Sequence, residues 1–126
     1  MHISKETKKI LLAMQKGEVT EYYIYMKIAA FVKDEKNSSI LRQIAEEEKS
    51  HGAVWKKITG VDVKPKKLYI VFITTLARIF GYTFALKLME KGEDNASSKY
   101  EKISDEVPEA KRISEAEQKD AFNKKQ

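Results

Sequence analysis

Apolar residues in the first quarter of the chain recur at three- and four-residue steps: Ile10, Leu11, Met14, Val19, Tyr22, Tyr25, Met26, Ile28, Ala29 and Val32. That is the period of one helical face, and it predicts a helix over residues 4–35. Asn37, Ser38 and Ser39 then offer turn and N-cap side chains. A second series, Leu41, Ile44, Ala45, His51, Val54, Trp55 and Ile58, predicts a helix over residues 40–59 that stops at Gly60. Pro65 and the lysines around it make VDVKPKK a linker, because proline lacks the N–H that a helix interior needs.

The pattern changes at Leu68. The 22 residues to Met89, LYIVFITTLARIFGYTFALKLM, are apolar almost all round, interrupted by Arg78 and Lys87. Their number would suffice to span a membrane, but a charge near the centre opposes that reading. Gly81 is a natural break. The expectation is a crossover helix over 66–80 and a third main helix over 82–104. A fourth follows over 108–124, with Pro108 in its first turn. This is an all-α chain, one domain over 1–126, built as two antiparallel hairpins joined by a long, partly helical crossover.

Composition agrees and narrows the chemistry. The 126 residues suffice for one core, and two prolines and five glycines beside 34% charged residues suit long helices. No cysteine is present, which excludes disulfides, zinc knuckles, iron–sulfur clusters and thiol catalysis. The opening MHISKETKK has no apolar core after its basic residues, so no secretory signal and a cytoplasmic protein are expected. The net charge of +5 permits contact with an anionic surface. No aromatic–basic stacking platform accompanies it, so nucleic acid is not an expected partner.

The candidate chemistry is built from carboxylates. EEEKSH puts Glu46, Glu47 and Glu48 before His51, and Glu48 and His51, three apart, share a helical face. Alone, an E-x-x-H on a glutamate-rich helix is weak evidence. The chain repeats it, however: shifted by 69 residues, RQIAEEEKSH falls on KRISEAEQKD, pairing Glu48 with Glu117 and His51 with Asp120. The same shift pairs Glu21 with Glu90, each 27 residues before its box glutamate.

One glutamate from each of two helices plus an E-x-x-H from each of two others is the ligand set of ferritin-like dinuclear carboxylate proteins. Through GEVTEYYIY, ILRQIAEEEKSH, LARIFGYTFALKLMEKGE and EVPEAKRISEAE, the chain resembles the rubrerythrin and ferritin-like superfamily. Within it, the chain looks closest to the ferritin-like module of vacuolar-iron-transporter-type membrane proteins. The resemblance implies a ferritin-like four-helix bundle with Glu21, Glu48, His51, Glu90 and Glu117 as ligands. It implies a dinuclear iron site, with manganese as the alternative, that oxidises Fe(II) with O2 or peroxide. The GE-x6-Y segments at Glu18–Tyr25 and Glu93–Tyr100 offer a competing register, which makes Glu93 and then Glu18 additional ligands. Asp120 departs from the pattern, which wants histidine, and five carboxylates would face the four charges of two divalent ions. Tyr22, Tyr25 and Tyr100 are candidate hydrogen-bond donors to the ligands.

Other functions compete. A metal-sensing or delivery module for a membrane transporter needs the ligands without the oxidation, and a helical interaction domain with a degenerate site needs neither. The 68–89 segment, flanked by Lys56, Lys57, Lys64, Lys66 and Lys67, suits burial in a homodimer first and membrane-surface contact second.

Overall fold

The structure, a computed structural model, describes residues 3–91 and Val107. All regular structure among these residues is α-helical. α1 (Lys5–Phe31) begins where the Ser4 hydroxyl accepts the Thr7 N–H at 3.1 Å, supplying a partner for one of the donors a helix start leaves over. α2 (Glu35–Thr59) packs antiparallel along α1, and Gly60 closes it with φ 70° and ψ 15°. Glycine adopts that left-handed conformation without a Cβ penalty. α3 (Lys67–Phe80) crosses back onto α1, and residues 82–91 open a further helix, α4.

The first hairpin turns earlier than the sequence suggests. α1 stops at Phe31, not near residue 35, and α2 starts at Glu35, not Ile40. Asp34 supplies the cap in place of the Asn37–Ser39 run, its carboxylate accepting the Asn37 N–H at 2.9 Å. An aspartate followed by Glu35 in the first turn suits the positive end of the helix dipole, so it wins over serines further on. Ser38 serves a different purpose: its hydroxyl donates to the Ala29 carbonyl at 2.8 Å and ties the start of α2 to the end of α1.

Two apolar clusters hold the elements. The larger joins Ile24, Ile28, Leu41, Ile44, Ile73 and Leu86 from all four helices. The smaller sets Leu11, Met14, Trp55 and Val107 together. Truncating a fully buried member such as Ile24 to alanine removes about 2–5 kcal/mol.

The linker read as VDVKPKK is stitched to α1 by side chains. The Gln15 amide donates to the Val61 carbonyl at 2.6 Å and accepts from the Thr59 hydroxyl at 2.7 Å. The Thr20 hydroxyl accepts the Lys66 N–H at 2.9 Å while donating to the Lys16 carbonyl at 2.7 Å. Lys66 caps α3 with backbone only, so Thr20 positions the start of that helix. Gly81, at φ 93° and ψ 150°, then separates α3 from α4. The expected 82–104 helix is described only to residue 91, and the expected 108–124 helix lies outside the described residues.

Candidate metal centre

Glu18 sits in the middle of α1, and Glu48 and His51 lie one turn apart in the middle of α2. Antiparallel packing brings the three to one level of the hairpin seam. Gly52 faces α1 there: a Cβ built on it would meet Glu18 Cβ and Val19 Cγ2 at 3.7 Å, ordinary contact for one carbon. One ligand atom from each of Glu18, Glu48 and His51 lies within 4.8 Å of the other two. His51 Nδ1 and Glu18 Oε2 are 3.6 Å apart.

Burial sets the electrostatics. The Glu18 and Glu48 residues are each 2% exposed, and the His51 side chain is 13% exposed. Carboxylates taken out of water need their charge compensated by a cation, a proton or strong hydrogen bonds. The imidazole forms the partly open edge, so an ion or a proton would reach the group past His51.

The donor set fits a divalent cation. Two carboxylate oxygens and one imidazole nitrogen suit ions of intermediate hardness, with further positions left for water. Donors around an ion at about 2.1 Å stand about 3.0–3.5 Å apart, so modest side-chain rotation closes the present spacing.

The other sequence-predicted residues fall differently. Glu21, one turn after Glu18, is half-buried and outside the three-residue group. Glu90 is buried on α4 and is likewise outside it. Tyr25 is fully buried in the larger core cluster, and Tyr22 packs at its edge with its ring 5.2 Å from that of Tyr23. Glu93, Tyr100, Glu117 and Asp120 lie outside the described residues, and with them the whole second box. Gly52 had no place in the reading of the sequence, although a glycine beside an E-x-x-H on an otherwise strong helix signals close helix approach.

Fold and site together define an all-helical protein with a buried pair of carboxylates and one imidazole at a helix-hairpin seam. A family model described as Pep3/Vps18/deep orange beta-propeller domain matches residues 1–125, and the chain belongs to that family. No curated protein and no solved structure matches it. A propeller blade is a four-stranded sheet, and the described residues contain no strand, so these helices are not propeller blades.

The family match overturns the ferritin-like and rubrerythrin reading, with its dinuclear iron oxidoreductase chemistry and iron-handling role. That resemblance rested on short glutamate-rich stretches, where carboxylates recur at helical spacing for reasons of solubility alone. The match to the Pep3/Vps18 family runs over nearly the full chain. The family match lends no support to a metal-sensing module for a transporter.

Proposed function

We propose that the chain is a helical module of the Pep3/Vps18 family whose α1–α2 hairpin is clasped by one divalent cation, held by Glu18, Glu48 and His51. The observation that carries this is the convergence of three ligand atoms within 4.8 Å across two helices at a buried level of the seam. Bound there, the ion supplies positive charge and a cross-link between two helices. The oxygen-rich donor set favours Mn(II) or Fe(II) over copper. Burial of Glu90 and of Val107, the latter against Leu11, Met14 and Trp55, supports the finer architecture of a four-helix bundle closed by a second hairpin.

Equilibrium dialysis of the full chain against Mn(II), and anaerobically against Fe(II), followed by elemental analysis, tests the site. One ion per chain is expected, with affinity lowered at least about tenfold in Glu48→Gln and in His51→Ala. Trp55, the single tryptophan, lies one turn from His51 on α2, so paramagnetic Mn(II) should quench its fluorescence at the same stoichiometry. Retention of no ion by the folded wild-type chain would sink the proposal.

The 3.6 Å approach of His51 to Glu18 favours a second reading, in which a protonated imidazole compensates the carboxylates without metal. The two predict opposite slopes. Stability that depends on imidazolium is lost as pH rises, because the proton leaves. Stability that depends on a bound ion is lost as pH falls, because protons displace it from imidazole and carboxylate.

A further inference from the structure

α3 is apolar on two opposite faces. Ile70, Ile73 and Ala77 pack inward in the core cluster. Leu68, Val71, Phe72 and Ile79 recur at three-, four- and seven-residue steps on the other side, where Leu68 is 87% exposed and Ile79 66%. The outer stripe continues past Gly81, since the rings of Phe80 and Phe84, both exposed, lie 5.6 Å apart. Charge within this stretch of chain has one sign. From Val63 to Met89 the chain carries Lys64, Lys66, Lys67, Arg78 and Lys87 and no aspartate or glutamate. The nearest acid on the linker side, Asp62, is 2.7 Å from the Lys56 ammonium.

We infer that this ridge is a docking surface for an anionic lipid bilayer, on which α3 lies flat with Leu68, Val71, Phe72, Ile79, Phe80 and Phe84 inserted between headgroups. Charge selects the occupant. A second copy bound about a two-fold axis would set the same segment against itself, bringing Lys64, Lys66, Lys67 and Lys87 toward their own copies with no acid in the segment to offset them. An anionic headgroup layer complements the same rim, and each lysine near it adds attraction that decays within a Debye length. The shape agrees. The apolar side chains stand on a ridge, not in a groove, and an interfacial helix buries its apolar face about 5–10 Å into the headgroup boundary. Arg78 does not obstruct this, because its guanidinium lies 4.5 Å from the ring centre of Phe31 on α1, drawn back toward the body of the protein. α3 stays on the surface: among the described residues no helix is long and apolar enough to cross a membrane.

Flotation of the full chain with vesicles tests the assignment. One set is phosphatidylcholine alone and the other equal parts phosphatidylcholine and phosphatidylserine. The chain should float with the anionic vesicles only and be released by high salt. The double variant Phe72→Ser with Phe84→Ser, at two exposed positions, should lower binding at least tenfold while leaving circular dichroism and Trp55 emission unchanged. Lys66→Glu with Lys67→Glu, made as a separate variant, should do the same through charge. Failure to bind vesicles of either composition would overturn the inference. So would a dimer in sedimentation equilibrium that the two serines dissociate, because the ridge would then be covered by a second copy. Equal binding to both vesicle types would remove the anionic selectivity and overturn the charge argument. Neither variant touches Glu18, Glu48 or His51, so metal stoichiometry measured in parallel keeps this result separate from the fate of the cation site.

Discussion

Gly52 faces α1 at the level where Glu18 and Glu48 meet. Its substitution by alanine places one carbon at ordinary contact distance from Glu18 and Val19 and raises helix propensity by about 1 kcal/mol, so Gly52→Ala should fold at least as stably as the wild type in urea melts. Gly52→Leu should force α1 and α2 apart, lowering stability by about 1–3 kcal/mol and weakening Mn(II) binding in the same titration. At this scale the sequence was legible where a spacing rule applies. Glu48 and His51 share a face by their three-residue separation alone. The grouping of Glu18 with Glu48 and His51 was not legible in the same way, because it depends on the level at which α2 packs against α1. Sequence spacing says nothing of that level; in the structure Glu18 is buried at it and Glu21 is half-buried a turn away.

Among the elements, the connection between α2 and α3 carries more order than its proline and lysines suggest. Gln15 and Thr20 reach from α1 to hold Val61 and Lys66, contacts 46 residues apart in sequence. Thr20→Val keeps the shape and removes the acceptor for the Lys66 N–H. It should cost about 1–3 kcal/mol and raise amide exchange at Lys66 and the first turn of α3 while sparing α2. Gly81→Ala should cost about 1–3 kcal/mol by urea melting, because φ 93° strains any residue with a Cβ. Helix periods were visible for α1, α2 and α3 because each has a long apolar repeat. The α1–α2 turn was misread by several residues, since Asp34, Asn37, Ser38 and Ser39 are all competent caps and their order along the chain does not rank them. The polar stitches of the linker had no sequence signal: glutamine and threonine on a helix look alike whether they face water or a neighbouring backbone.

For the molecule as a whole, ligand binding to the folded state alone is a stability term. Mn(II) at one hundred times its dissociation constant should add about 2.7 kcal/mol to unfolding, and a chelator should remove it; Glu48→Gln, with affinity at least about tenfold lower, should gain no more than about 1.4 kcal/mol at the same ion concentration. The one-signed charge of residues 63–89 makes the ridge of α3 sensitive to salt where the buried core is not. The family was not legible from patterns of charge and apolar residues, because glutamate-rich amphipathic helices serve many unrelated proteins. Matching over residues 1–125 draws on every position at once. Gly81 also has a meaning on the scale of descent. Without its turn, α3 and α4 could run on as one rod from residue 67 through 91, apolar over most of its length, with Arg78 and Lys87 the charges left within the 22-residue segment. With it, α3 ends after 14 residues, about 21 Å, short of a hydrocarbon core of about 30 Å. Glycine and alanine codons differ by a single base, so a lineage carrying this chain stands one point mutation from losing the turn that separates a helix resting on a bilayer from one long enough to enter it.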